Sequence, residues 1–178
     1  MLYAHIANSL VWCVRLSESR NIFWGKRREG VVGAVSVGCF LILIGLVFAV
    51  TPNLFGSILD FFQHFSIVPV PNTGISLPAP ETPNAHAVVY SAAGLFSLIW
   101  GILEIVFLAL RFIMHSPFDK KAENASNIVF WLGAYYLIST TLSATTTLQI
   151  WFMFWTEIIM LIGVMLIVRA LILAIKRQ

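Results

Sequence analysis

The stretch VVGAVSVGCFLILIGLVFAV, residues 31–50, decides the class of fold, because it is long, uncharged and almost wholly apolar. A helix of this length, at about 1.5 Å per residue, covers the roughly 30 Å hydrocarbon core of a bilayer. A secretory signal peptide has a shorter apolar region near its start and a small-residue cleavage site. Residues 1–29 come first here, so the sequence predicts a retained transmembrane helix.

The composition of the whole chain agrees with a membrane protein. Of its 178 residues, 59% are hydrophobic and 11% are charged, against roughly 25% charged in an ordinary globular domain. The mean hydropathy is +0.88. These values exclude a soluble enzyme, a nucleic-acid-binding protein and a disordered tail, and they predict that the lipid bilayer is a partner of the chain.

Three further spans are predicted. The second covers residues 85–113. The apolar stretch 126–175 would measure about 75 Å as one helix, more than twice the thickness of the core, so it must turn back once. The hydropathy minimum places that turn near residues 145–149, which gives spans at about 127–145 and 150–173. The predicted fold class is therefore an all-α membrane protein with four transmembrane helices in an up-down bundle.

The segment between the first two spans, residues 52–84, has a different pattern. Thr51-Pro52 is typical of a helix start. Apolar side chains then recur at three- and four-residue steps, and they are Leu54, Phe55, Ile58, Phe61, Phe62 and Phe65. We expect an amphipathic helix lying flat in the outer interface. Five prolines between residues 68 and 83 favour an extended loop after this helix.

All eleven lysines and arginines fall on one side of these four spans. The positive-inside rule therefore predicts that both termini are cytoplasmic and that residues 52–84 lie outside a plasma or other cell membrane. Residues 30–178 form one transmembrane domain in this interpretation, preceded by a cytoplasmic segment, residues 1–29. That segment is expected to be a short interfacial helix, or alternatively a docking surface for another subunit.

Small residues recur every four positions in the first two spans. They are Gly30, Ala34 and Gly38 in the first span, and Ala93, Ser97 and Gly101 in the second. Such stripes let the backbones of two helices approach closely. They predict packing seams within the bundle, or alternatively self-association or contact with a larger membrane assembly.

One glutamate lies deep in the second predicted span. Glu104 shares the helix face of Ser97 and Gly101, and a charge at mid-helix costs roughly 2.5 to 3.5 kcal/mol on insertion scales. Its depth of about 27 Å from the outer edge matches that of Arg169, at about 29 Å in the last span. An ion pair between Glu104 and Arg169 is therefore predicted, with a proton or ion site as the alternative.

A second glutamate, Glu157, lies about 12 Å below the outer edge. Three hydroxyl groups of the third span are at the same level and are expected to hydrogen-bond to its carboxyl group: Ser139, Thr140 and Ser143. The depths of Glu157 and Glu104 differ by about 15 Å, which is too far for a shared proton but suits two stations of a proton relay.

Ligand and catalytic motifs are sparse. Asp60 and His64 share a helical face and are weak candidate metal ligands, beside Glu81 and His86 on the outer side. The sequence has no GxSxG or HExxH motif, no phosphate-binding glycine loop and no dinucleotide fingerprint. It therefore predicts no catalytic residue, no cofactor and no enzyme that acts alone.

Two functions fit this pattern. The first is a non-catalytic scaffold or accessory subunit of a membrane assembly, because catalytic motifs are missing and the small-residue stripes suit helix contacts. The second is a small proton- or ion-coupled transporter or channel that uses Glu104 and Glu157. A transporter needs a water-accessible carboxylate along a path, whereas a scaffold needs these carboxylates to be paired and dry.

Overall fold

The computed structural model describes residues 30–71 and 73–175. Five helices make up most of this part of the chain: α1 Gly30–Val50, α2 Leu54–Gln63, α3 Ala87–Ile113, α4 Phe118–Thr141 and α5 Leu148–Ile175. A short 3-10 helix, Pro83–His86, leads into α3. The predicted cytoplasmic segment, residues 1–29, lies outside the described residues.

Three helices of the described part are long and apolar enough to cross a membrane: α1, α5, and α3 together with the 3-10 helix that precedes it. These lengths and compositions are compatible with an integral membrane protein. Helix α4 has 24 residues, but its first two turns carry Asp119, Lys120, Lys121 and Glu123. It is therefore a less apolar helix than the other three.

The connection between α4 and α5 comprises residues 142–147, slightly before the predicted turn at 145–149. No glycine or proline is needed there, because hydroxyl groups close the turn locally. The backbone N–H of Ser143 donates to Oγ1 of Thr146 at 2.7 Å, and that of Thr145 donates to Oγ of Ser143 at 3.2 Å.

The outer segment contains a small sheet that the prediction of an extended loop did not include. Strands β1 Phe65–Pro69 and β2 Ser76–Pro80 pair antiparallel, with Phe65 opposite Pro80 and Pro69 opposite Ser76. A two-stranded hairpin tolerates these prolines because the outward edge of each strand needs no hydrogen-bond donor. The fold is therefore mostly helical rather than all-α.

Helix α2 is shorter than predicted, and both of its ends differ. It begins after Asn53, which adopts the left-handed conformation (φ 53°), rather than at Thr51-Pro52. It ends at Gln63, so Phe65 starts β1. Part of its apolar face packs against the rest of the protein instead of facing lipid, since Leu54 is 4% exposed while Phe55 is 66% exposed.

Helix α3 lies at the centre of the bundle. It packs along α4, which in turn packs along α5, and it also contacts α2. One buried cluster joins α1, α2 and α3: Leu43, Val47, Leu54, Ala92, Trp100 and Phe107. A second cluster joins β2, α3, the α4–α5 connection and α5: Ala79, Tyr90, Leu142, Trp151 and Phe154. Aromatic and aliphatic side chains thus fill the space between the helices.

Candidate functional site

Gly101 of the predicted small-residue stripe lies in the seam between α3 and α4, whereas Ala93 lines a cavity beside α1 and α2. Ser97 and Gly101 are buried, whereas Ala93 is exposed. A Cβ atom placed on Gly101 would lie 2.6 Å from Cδ2 and 3.0 Å from Cγ of Leu132 on α4. Since real Cβ atoms essentially never come that close, Gly101 is what lets the two helices touch here.

The carboxyl group of Glu104 lies in this seam, one turn closer to the C-terminal end of α3. Glu104 is 6% exposed and Asn124 of α4 is 3% exposed. The side-chain amide of Asn124 donates to Oε2 of Glu104 at 2.6 Å and also to the Glu104 backbone carbonyl at 3.2 Å. Asn127 and the indole of Trp100 interact with the same carboxyl group. A buried acid is thereby joined to the neighbouring helix by neutral donors.

The predicted ion pair between Glu104 and Arg169 does not form. Arg169 is exposed on α5, and the hydrogen-bonding partner of Glu104 is Asn124. The two residues have matching depths, but depth does not determine which helices face each other. Helix α4 packs against both α3 and α5, and it supplies the polar partner. The sequence pattern did not identify Asn124 as this partner. Glu104 lies roughly 14 Å along α3 from the α3–α4 turn, and Asn124 lies roughly 9 Å along α4 from the same turn.

The carboxyl group of Glu157 has a different partner from the three predicted. The hydroxyl of Thr141 donates to Oε2 of Glu157 at 3.0 Å and so links α4 to α5. Ser139 and Thr140 instead donate to the backbone carbonyl of Tyr136, at 2.9 and 2.8 Å. This is the common behaviour of hydroxyls inside a helix.

The third predicted hydroxyl, that of Ser143, lies in the α4–α5 connection. Its Oγ atom is 2.9 Å from Oγ1 of Thr145. Ser143 therefore helps to close the turn and does not contribute to a polar cluster around Glu157.

Basic and acidic side chains converge at the end of the bundle that holds the α3–α4 turn. Nζ of Lys120 donates to Oε2 of Glu123 at 2.8 Å, and Nη1 of Arg111 donates to the backbone carbonyl of Lys120 at 2.7 Å. The hydrogen bond from Lys120 lowers the pKa of the Glu123 carboxyl below its ordinary value, and the positive charges of Arg111 and Arg169 act in the same direction. The positive charge of Arg169 therefore favours the ionised carboxyl group of Glu123 rather than that of Glu104.

The opposite end of the bundle, which holds α2 and the hairpin, carries three ionisable side chains in contact. Oδ1 of Asp60 is 3.2 Å from Nδ1 of His64, and Oδ2 of Asp60 is 3.6 Å from Nδ1 of His86. His86 is 3% exposed. Within residues 30–71 and 73–175, no group of three His, Cys, Asp or Glu residues is arranged to hold a metal ion. The four-residue spacing of Asp60 and His64 explains their contact. In the described residues, however, they do not belong to a set of three side chains arranged to hold a metal ion.

The small-residue stripe of α1 has no partner helix in the described part of the chain. Gly30 and Ala34 are exposed, and Gly38 is half-buried. A Cβ atom on Gly30 or Gly38 would meet nothing within 4 Å. Helix α1 packs on the bundle through a different face, on which Leu43 and Val47 are 3% and 5% exposed. Among the described residues, no helix closes the predicted seam on the small-residue face of α1.

The described polar groups thus act as joints between helices, Glu104 with Asn124 and Glu157 with Thr141. Each carboxyl group accepts a hydrogen bond from a neutral donor on α4, an arrangement that holds two helices together in an apolar environment.

No protein-family model matches this sequence, and neither a curated protein nor a solved structure matches it.

Proposed function

We propose that the chain crosses a membrane four times, through α1, α3, α4 and α5, and serves as a non-catalytic scaffold or accessory subunit of a membrane assembly. In this proposal both termini are cytoplasmic and the segment with α2 and the hairpin lies outside. The distribution of the eleven basic residues supports this orientation.

The packing of α4 supports a fourth crossing. Short connections join α4 to α3 and to α5, and α4 packs along both of these apolar helices. Its 24 residues span about 36 Å, enough for the hydrocarbon core. If α3 and α5 cross the bilayer, α4 crosses between them. Its charged first turns then lie at the inner boundary.

The observation that carries the proposed function is the enclosure of Glu104. A carboxyl group that takes up and releases a transported ion needs contact with water. Glu104 is instead 6% exposed and receives a 2.6 Å hydrogen bond from a buried amide. A polar group paired in this way specifies how α3 and α4 pack, which is a structural role.

The outward faces of the helices support the assembly part of the proposal. Helix α5 exposes a long series of large apolar side chains, among them Ile159, Met160, Leu166 and Ile167, which are 53–69% exposed. The small-residue face of α1 is also uncovered by described residues. Lipid or a neighbouring subunit can cover such faces, and a subunit gains close backbone contact only on a small-residue face.

Quantitative co-purification tests the scaffold proposal. The full-length protein, tagged at its C-terminus, is extracted in a mild detergent, and retained proteins are measured relative to it. We expect one companion at a fixed stoichiometry that persists across detergents. A matched bait with Asn124→Leu, which loosens the α3–α4 joint, should retain less of that companion. Absence of any stoichiometric companion from the parent would contradict the scaffold function.

Ion flux tests the competing function, a small proton- or ion-coupled transporter or channel. Liposomes containing the parent, Glu104→Gln or Glu157→Gln are compared with protein-free liposomes after a pH step. We expect the same negligible flux in all four. Proton flux in the parent that falls in either variant would favour the transporter and would contradict the proposed scaffold.

Site-specific cysteine labelling tests the orientation. In a background with Cys13→Ser and Cys39→Ser, a membrane-impermeant maleimide should label Thr73→Cys in the hairpin on intact cells. It should label Ser116→Cys, between α3 and α4, only after permeabilisation. The reverse pattern would overturn the orientation, and equal labelling of both sites on intact cells would overturn the membrane topology.

A further inference from the structure

Three cations from three different helices act on one carboxylate at the inner end of the bundle. Lys120 of α4 pairs with Glu123 at 2.8 Å. Arg111 of α3 binds the Lys120 carbonyl at 2.7 Å, and Arg111 and Arg169 of α5 both act electrostatically on Glu123. The α3–α4 turn and the end of α5 thus form one basic cluster, which we define as Arg111, Lys120 and Arg169 around Glu123.

The basic cluster carries more positive than negative charge. Arg111 also acts on Glu104, and Lys120 is already paired with Glu123. Arg169 is exposed and forms no ion pair within 4 Å in the described part of the chain. Asp119 and Lys121 flank Lys120 in the sequence, so the region holds four cations against three carboxyl groups and stays net positive even when all three are ionised. An anion near Arg169 would therefore find a net attractive field.

The depth of the basic cluster matches the level of lipid headgroups. Arg111 lies about 36 Å along α3 from Ala87, and Arg169 lies about 32 Å along α5 from Leu148. Both distances slightly exceed the roughly 30 Å hydrocarbon core. Basic groups between transmembrane helices at the cytoplasmic edge attract anionic headgroups, and guanidinium groups match the oxygens of a phosphate. The outer residues 51–86 contain no lysine or arginine.

We propose that the basic cluster binds the headgroup of an anionic phospholipid of the inner leaflet, with Arg169 as its main contact and Arg111 and Lys120 beside it. This inference rests on the proposed membrane orientation but not on the scaffold function. The lipid would occupy the inner ends of α3, α4 and α5 and would add to the cohesion of α4 with the two helices that it packs along.

Lipid retention by the purified full-length protein tests this site. Phosphatidylglycerol and phosphatidylcholine with identical acyl chains are titrated into detergent-solubilised protein, and bound lipid is counted by native mass spectrometry. We expect phosphatidylglycerol to bind more tightly. Arg169→Gln should weaken phosphatidylglycerol about fivefold, equivalent to about 1 kcal/mol for one basic residue, and leave phosphatidylcholine unchanged.

Two matched variants distinguish a site from diffuse attraction. Lys121→Gln removes the same charge beside the cluster, from an ammonium group that lies 4.4 Å from the centre of the Phe112 ring, and should change binding less than twofold. Glu123→Gln removes the negative charge at the centre and should tighten phosphatidylglycerol binding. Equal losses in Arg169→Gln and Lys121→Gln, or no preference for phosphatidylglycerol in the parent, would overturn the site.

Inorganic phosphate in a separate titration distinguishes the source of the anion. We expect it not to displace phosphatidylglycerol. Displacement would mean that the cluster binds free phosphate and would overturn the lipid assignment. If the protein shows no lipid preference, the co-purification experiment can still find a companion. If no companion is found, the preference for phosphatidylglycerol can still be measured. The two outcomes can therefore be told apart.

Discussion

The small-residue stripes of α1 and α3 have the same four-residue spacing but opposite surroundings. On α3, a Cβ atom at Gly101 would lie 2.6 Å from Leu132 of α4. On α1, a Cβ atom at Gly30 or Gly38 would meet nothing within 4 Å in the described part of the chain. The spacing therefore identifies helices that can approach a neighbour closely. It does not tell whether that neighbour belongs to the same chain.

The largest loss of stability is expected at Gly101, where the α3 stripe contacts α4. Gly101→Leu adds a side chain into space that Leu132 occupies, and even the Cβ atom would be 3.4 Å from the Leu132 backbone nitrogen. Overpacking of this kind forces the helices apart and typically costs about 1–3 kcal/mol. We expect Gly101→Leu to lower the free energy of unfolding by about 3 kcal/mol, measured by denaturation in mixed micelles.

Gly163→Leu is the matched control for this substitution. Gly163 is also in the middle of a long apolar helix, α5, but a Cβ atom there would meet nothing within 4 Å. Its replacement should leave the free energy of unfolding within about 0.5 kcal/mol of the parent. Equal destabilisation by both substitutions would mean that the α3 seam is not closed by Gly101.

The next effect concerns the polar joint in the closed seam. Asn124→Leu removes the amide that donates to Glu104 at 2.6 Å and leaves a buried carboxyl group with fewer partners. Because this residue also bonds to the Glu104 backbone, we expect a loss of about 2 kcal/mol, near the top of the range for hydrogen bonds between transmembrane helices.

A double-mutant cycle isolates that joint. Glu104→Leu in the Asn124→Leu background should recover part of the lost free energy of unfolding, since no carboxyl group then remains unpaired. Arg169→Leu in the same background should change the free energy of unfolding no further, because Arg169 is not the partner of Glu104. A further loss caused by Arg169→Leu would instead support the ion pair that the depths of the two residues suggested.

These joints show which part of the site the sequence could predict. The burial of Glu104 in a seam with Ser97 and Gly101 follows from helical periodicity alone, because residues three and four apart share a face. Its partner does not, since the choice between Asn124 and Arg169 depends on which helices are neighbours. Depth along a helix can be counted from the sequence, whereas lateral packing depends on side-chain shapes such as the fit of Leu132 to Gly101.

In the fold, too, some elements could be predicted from the sequence and others could not. The apolar stretch 31–50 and the long one after residue 126 indicate helices, because their length and lack of charge leave few alternatives. The hairpin of β1 and β2 was predicted only as extended chain. Prolines at 69, 78 and 80 forbid helix but carry no information about pairing, which is set by the register of Phe65 with Pro80.

A smaller effect is expected at the joint between α4 and α5. Thr141→Val keeps the shape of the side chain but removes the hydroxyl that donates to Glu157 at 3.0 Å. Hydrogen bonds of this kind between membrane helices average about 0.6 kcal/mol, and we expect a loss of that size in unfolding experiments. Ser139→Ala removes a hydroxyl that bonds only within its own helix and should have no measurable effect.

The smallest effect on stability is expected where the stripe is open. Gly38→Leu adds a side chain on a face of α1 that no described residue covers, where a Cβ atom meets nothing within 4 Å. Leucine also favours helix over glycine by roughly 0.8 kcal/mol. We therefore expect the free energy of unfolding to stay within about 0.5 kcal/mol of the parent or to rise slightly.

In co-purification, however, the same variant should lose the companion subunit, because a bulky residue prevents close approach of a second helix. Retention of the companion at parental stoichiometry would assign the contact to another face, such as that of α5, while destabilisation comparable to Gly101→Leu would mean that the α1 stripe is closed after all.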